Sequence, residues 1–166
     1  KASQKIRHRG PDGTGYHQTR YGCFSHMRLS IIDPNSGIQP LTNQDNTIVL
    51  CVNGEIFNYK ELKKEFSHYN YKTESDCEVI LALYETMLNY KNNNTDNTDN
   101  NKLEHNEIVH LMSKLNGQFS FILHDTQNNM VFVARDPFGI TQSYYGMDEN
   151  GGIHISSELK ALTQCI

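Results

Sequence analysis

The stretch TIVLCVNGEIFNYKEL, Thr47–Leu62, decides how the chain is organised. Its opening TIVLCV is apolar, β-branched and too short for a helix, which marks a buried strand. After it, Ile56, Tyr59, Leu62 and then Phe66 recur at helical spacing, so EIFNYKELKKEF, residues 55–66, reads as an amphipathic helix. Between the two stands Asn53-Gly54, the dipeptide of a tight hairpin, with no second strand after it to pair.

Outward from this stretch the chain alternates between strand-rich and helix-rich parts. Upstream, Pro11-Asp12-Gly13 is a turn, GYHQT and YGCFSHMRLSII read as strands, and DPNSGIQP reads as a loop. Downstream, SDCEVILALYETMLNY is a helix. Ser75 and Glu78 stand in capping-box positions, and Val79, Ile80, Leu83, Tyr84, Met87 and Leu88 form its apolar face. KNNNTDNTDNNK, residues 91–102, is nearly devoid of apolar groups and reads as a disordered insertion, with EIVHLMSKL a further helix beyond it. FSFILHD and MVFVARD, then SYYGM and IHISS, alternate as strands across the turns DTQNN and DENGG, and SELKALTQCI closes as a helix. Strands joined by tight turns pair antiparallel, and helices grouped in sequence cover outer faces. The expected class is therefore α+β, in layers.

Composition narrows the functions. The 166 residues are enough for one domain with a core. A formal charge of -4 gives no basic field for nucleic acid, and no apolar run is long enough for a membrane span. KASQKIRHRG carries no signal-peptide h-region. Cys23, Cys51, Cys77 and Cys165 show no C-x-x-C pair and read as reduced, buried thiols of a cytoplasmic protein. The eight histidines follow no zinc pattern, so no metal is expected in this domain.

Several polar residues carry two readings each. Asn53-Gly54 is either a hairpin turn or an oxyanion site, in which a side-chain amide N–H and a backbone N–H that no Cβ shields point at one developing negative oxygen. Arg28, inside the apolar strand HMRLSII, either snorkels to the surface or grips a carboxylate in a cleft. Asp76 is surplus to the capping that Ser75 and Glu78 supply, or else a surface acid favoured by the helix dipole; Glu55 is open in the same way. Arg135-Asp136 reads as a turn-stabilising ion pair or a ligand pair. Taken together, one cation, two acids and two oxyanion donors complement an α-amino acid with a carbonyl in its side chain.

RHRGPDG, RLSIID with GIQPL, NGEIFN, SDCEVILALYE, LNGQFSF, ARDPFGI and SSELKAL occur in this order. The set resembles the glutamine amidotransferase domain, of the class II or N-terminal nucleophile type, found in glutamine-hydrolysing asparagine synthetases. The resemblance covers nearly the whole chain apart from the Asn-rich insertion. It implies a four-layer αββα sandwich of two antiparallel sheets. It also implies hydrolysis of L-glutamine, with ammonia passed to a C-terminal synthetase domain where ATP activates aspartate for conversion to asparagine. By position, Arg28 matches the residue that binds the glutamine carboxylate, and Ile31 and Ile32 match the segment lining that site. Asn53 and Gly54 match the oxyanion hole, and Glu55 and Asp76 match the acids that hold the amino group. ATP and Mg2+ are expected with the synthetase domain and no cofactor in this one. A homodimer is admitted, though nothing in these residues specifies it.

Two departures qualify the resemblance. The family nucleophile is a cysteine at the mature N-terminus followed by a first strand; this sequence starts at Lys1, close to RHRGPD, and shows neither. A terminal amine, of pKa about 7.7–8.0, can act as local base for a thiol of about 8.5, which no internal cysteine reproduces. Cys51 reads as a core residue of its strand. The chain as given is therefore expected to bind glutamine poorly and not to hydrolyse it. In ITQSYYG, Gln142 and Ser143 stand where the family has Pro-Leu, which bears on local strand packing. The rival to the catalytic reading is a structural amidotransferase-like domain without its nucleophile, as in β-lactam synthetases. Other amidotransferases of the class rank lower, their sequences differing around HRGPDG and NGEI.

Overall fold

The computed structural model describes residues 2–29, 37–94, 103–163 and 165–166, the side chains of 93 and 94 aside. A 3-10 segment, Ser3–Arg9, precedes the hairpin of β1 (Gly13–Gln18) and β2 (Cys23–Arg28). A short β3 (Leu41–Thr42) leads to β4 (Ile48–Ile56), then α1 (Tyr59–Glu65), α2 (Val79–Asn94) and α3 (His105–Ser113). β5 (Gly117–Asp125) and β6 (Met130–Arg135) follow, then the hairpin of β7 (Tyr144–Met147) and β8 (Ile153–Ser156), and α4 (Leu159–Leu162). The central sheet runs β3-β4-β5-β6, all antiparallel, with β1-β2 and β7-β8 as separate two-stranded sheets. This is the α+β sandwich of antiparallel sheets and helical layers.

The central sheet has two unlike faces because its side chains alternate. Leu50, Val52 and Ile56 of β4 and Phe119, Phe121 and Leu123 of β5 turn to one face, where they join the core with α2. Val79–Tyr84 of α2 are buried without a break, since the helix is covered by the sheet, α1 and α3 together. Its apolar face is thus wider than the spacing of Val79, Ile80, Leu83 and Tyr84 suggests, and Leu81 and Ala82 join it. The opposite face carries Cys51, Asn53 and Glu55 of β4 beside Gln118, Ser120 and His124 of β5. Phe24 and His26 of β2 meet that face, Phe24 stacking on His124 at 6.0 Å and His26 bonding to Val52 O.

Four expectations need correction. The strand does not stop at Val52: β4 continues through Asn53, Gly54 and Glu55 to Ile56, in unbroken register with β5, and α1 begins only at Tyr59. Asn53-Gly54 is thus neither a hairpin turn nor a helix start. KNNN, the opening of the Asn-rich segment, is the last turn of α2. There Lys91 is buried and pairs with Glu107 of α3 at 2.9 Å. Residues 95–102 lie outside the described residues. Ser75 caps through Cys77 N at 3.2 Å, while Glu78 leaves the cap and accepts from Lys72 N (2.7 Å) and Thr73 N (2.8 Å), tying down the preceding loop. Finally, all four cysteines are free as read, but Cys23 is exposed on β2.

β7 forms directly after Gln142-Ser143 and pairs with β8 over four residues, so the strand tolerates the missing Pro-Leu. RHRGPDG and SSELKAL, at opposite ends of the sequence, meet where Glu158 stands 3.6 Å from Arg9 and 2.9 Å from Lys160. No helix among the described residues is long and apolar enough to cross a membrane.

Candidate functional site

The end of β4 builds the site because, among the described residues, no strand pairs its free edge beyond β3. β3 matches β4 only at Leu50 and Val49. Odd-numbered residues of β4 and its flanks turn their backbone groups toward β5, as Phe57 N→Asn116 O and Thr126 N→Thr47 O show. Even-numbered ones turn to the other edge, as Asn43 N→Ile48 O shows. Beyond β3 that edge is taken by side chains. Val52 N donates to Gln39 Oε1 at 2.6 Å, and Val52 O lies 3.1 Å from His26 Nε2. Ile56 N donates to Asp76 Oδ2 at 2.8 Å, and Cys77 Sγ approaches Gly54 O at 3.9 Å. By the same alternation the Gly54 N–H points out of this edge, between the groups that hold Val52 and Ile56.

Gly54 is required for this geometry. Its φ is +138°, outside the range of L side chains, and a Cβ there would stand 2.0 Å from Gln118 O and 2.6 Å from Phe119 Cα. The strands β4 and β5 therefore run closer here than any side chain permits. Next to it, the Asn53 side chain enters the layer between the sheets. Its Nδ2 is buried and has no hydrogen-bond partner among the described residues. A buried amide donor left unpaired costs about 1–3 kcal/mol, so it calls for an acceptor from outside the chain's own packing. One unpaired side-chain N–H and one edge-facing backbone N–H thus stand on adjacent residues, two donors that a single acceptor could share.

The acids lie beside them. Glu55 follows Gly54 and is half-buried; Asp76 is 5% exposed, anchored through one oxygen to Ile56 N. Asp76 is therefore more than a surface acid at a helix start: it stitches the 3-10 turn Asp76–Glu78, just before α2, to the end of β4. Cys77 lies in the field of both carboxylates. Burial, then Asp76, then Glu55 push its thiol well above the ordinary range. Burial alone pushes the Cys51 thiol up to about 12. Both sulfurs are held protonated at neutral pH and neither is an activated nucleophile.

Arg28, at the end of β2, is 8% exposed and so does not snorkel to solvent. It shares the inward face of β2 with His26, one side-chain step along, and its charge adds to burial in lowering the His26 pKa. Thus Asn53, Gly54, Glu55 and Asp76 are brought together, and Arg28 opens onto the same layer. Ile31 and Ile32 lie outside the described residues. In Arg135-Asp136 the acid is engaged by its own turn. The buried Asp136 carboxylate accepts from Phe138, Ile140, Thr141 and Phe119 N–H groups at 3.0–3.3 Å. Against the desolvation that raises it, these four bonds hold its pKa below the usual carboxylate value. Its work is to fold the ARDPFGI loop. His26 and Gln39, which hold the Val52 peptide, escaped the sequence reading. The signal for His26 was its place two residues before Arg28 on the same strand, hence on the same face.

Residues 26–164 match the glutamine amidotransferase domain family. The chain is 43% identical over 160 residues to a glutamine-hydrolysing asparagine synthetase of Brassica oleracea, covering 96% of this chain and 24% of that protein. It is 44% identical, with the same coverage, to such enzymes of Arabidopsis thaliana and Asparagus officinalis. It thus spans about a quarter of the length of these relatives. Among solved structures, the glutamine phosphoribosylpyrophosphate amidotransferase of B. subtilis superposes with a TM-score of 0.70 at 20% identity, over 98% of this chain and 39% of that one. The allosteric regulatory enzyme of purine biosynthesis gives 0.59 at 23% identity, over 85% and 29%. At those identities the likeness is one of fold. The match over residues 26–164 places the chain in the glutamine amidotransferase domain family, and its curated relatives are glutamine-hydrolysing asparagine synthetases.

Proposed function

We propose that these residues form the glutamine-binding and oxyanion-stabilising part of an asparagine synthetase, which releases ammonia from L-glutamine for the ATP-dependent amidation of aspartate. The observation that carries this reading is the buried, unpaired Asn53 Nδ2 next to the edge-facing Gly54 N–H. Arg28 holds the substrate carboxylate and Glu55 with Asp76 its ammonium. The side-chain carbonyl then points at Asn53 and Gly54. As a nucleophile adds to that carbonyl, negative charge grows on the oxygen, and the two N–H groups stabilise it where it forms. The held-up thiols of Cys51 and Cys77 suit neither to be the attacking group, and the role of these residues is to bind and orient the glutamine.

In the intact protein the synthetase domain, with its ATP and Mg2+, accepts the ammonia; four free cysteines suit a reducing compartment such as the cytoplasm. The test is Asn53→Ala in the intact protein. Glutamine-dependent turnover should fall by about 10²–10³ while synthesis from free ammonia is spared. Equal loss with both nitrogen donors makes Asn53 a structural residue and overturns the reading.

A further inference from the structure

The Gly54 N–H sits on a strand edge that would ordinarily be consumed by a neighbouring strand. β3 pairs with β4 only as far as Leu50, and the next outward-facing residue, Val52, is held by two side chains. Gln39 Oε1 takes its N–H at 2.6 Å. His26 Nε2 lies 3.1 Å from its carbonyl oxygen. A carbonyl can only accept, so the ring must carry its proton on Nε2, and Nδ1 is bare. Nδ1 is itself buried with no partner among the described residues. Burial lowers the His26 pKa and the Arg28 charge lowers it further, against the Val52 hydrogen bond, so the ring stays neutral.

We infer that His26 is a positioning residue for the oxyanion hole. It acts in place of a paired strand: it fixes the plane of the Val52–Asn53 peptide, and with it the aim of the Asn53 amide and the Gly54 N–H one residue on. A side chain can do this where a strand cannot. Side-chain pairing satisfies one residue and stops, whereas a continued strand would also take the Gly54 N–H and close the site. The inference rests on the proposed function for its catalytic meaning, and on the His26–Val52 geometry for its structural one.

Two measurements keep these separable. First, long-range ¹⁵N–¹H correlation spectra of the histidine rings in this chain should show His26 as the Nε2–H tautomer at pH 7. An Nδ1–H ring overturns the inference whatever the enzymology gives. Second, glutamine- and ammonia-dependent rates are compared in the intact protein carrying His26→Leu or His26→Gln. The leucine fills space without a donor, and the glutamine carries an N–H near the Nε2 position. Since loss of a whole oxyanion donor costs about 10²–10³ in kcat, loss of its alignment in His26→Leu should cost about tenfold. KM for glutamine should change less than kcat, and the ammonia rate should not change. His26→Gln should recover kcat to within about threefold of wild type, the scale of one ordinary hydrogen bond. Full kcat in His26→Leu, an effect confined to KM, or a folded His26→Gln no better than leucine each refutes the role. A wild-type protein unable to use glutamine refutes the proposed function instead, leaving the tautomer to decide the geometry. If His26→Leu does not fold, the tautomer and the glutamine variant still decide.

Discussion

Replacing Gly54 by alanine should be the most damaging single-methyl change in the central sheet. The added Cβ would lie 2.0 Å from Gln118 O and 2.6 Å from Phe119 Cα, both backbone atoms of the partner strand that cannot swing aside. Restoring an ordinary contact of 3.4 Å to Gln118 O means opening β4 from β5 by about 1.4 Å at Gly54↔Phe119, two pairs inside the Ile56 end of their pairing. The φ of +138° adds strain that only glycine escapes. A sparsely populated backbone conformation costs about 1–3 kcal/mol and forced overpacking a further 1–3. The total is a loss of about 2–6 kcal/mol, which for a chain of this length lowers Tm by at least about 4 °C. Gly22, in the β1-β2 turn, has nothing within 4 Å of its built Cβ and serves as the control. Gly22→Ala should stay within about 0.5 kcal/mol of wild type. Thermal and urea unfolding of the three proteins by circular dichroism makes the comparison. Should Gly54→Ala melt within about 2 °C of wild type, the close approach of β4 and β5 is not what this structure shows, and the glycine is there for other reasons.

Asp76→Ala leaves the buried Ile56 N–H unpaired and should destabilise the fold by about 1–3 kcal/mol, whereas Asp76→Asn keeps an acceptor and should fold normally. Asp76→Asn should nevertheless raise KM for glutamine about tenfold or more through loss of a charge-assisted bond to the ammonium; an unchanged KM would confine Asp76 to its structural task. His26 and His124 are both lowered by burial, with Asp125 partly opposing at His124. Their folded pKa values lie below the unfolded value of about 6.5, so the unfolded chain takes up protons first as pH falls. Stability is then complete above about pH 6.5 and declines as pH falls toward the depressed folded values. Urea midpoints should drop between about pH 7.5 and 5.5, and a His26→Gln/His124→Gln double variant should flatten the slope; midpoints that rise over this range contradict the neutral, buried rings.

The parts of the fold that were legible in the sequence are those set by local pattern. TIVLCV, FSFILHD and MVFVARD read as strands because alternation and β-branching act within a few residues. The continuation of β4 through NGEI did not read, because Asn-Gly favours a turn locally. Its strand conformation is imposed by β5, whose Gly117–Phe119 supply the pairing more than sixty residues away in sequence. The period-2 placement of Cys51, Asn53 and Glu55 opposite Val52 and Ile56 carried the correct answer and was outweighed by the dipeptide. KNNN failed in the same way: asparagine is a poor helix former, but Lys91 gains Glu107 of α3 as a partner. In the site, the residue types were readable as a set complementary to an amino acid. That Asp76 bonds to Ile56, twenty residues upstream, and that Gln39 takes the Val52 N–H, are tertiary facts with no local signature; for His26 the sequence showed the strand face but not the Val52 carbonyl it meets.

The most direct test is a crystal structure of the intact protein with L-glutamine bound. The side-chain carbonyl oxygen should lie within about 3.2 Å of both Asn53 Nδ2 and Gly54 N, with the carboxylate on Arg28 and the ammonium between Glu55 and Asp76. Glutamine bound with Asn53 Nδ2 still lacking an acceptor, or with its amide turned away from Gly54, contradicts the account.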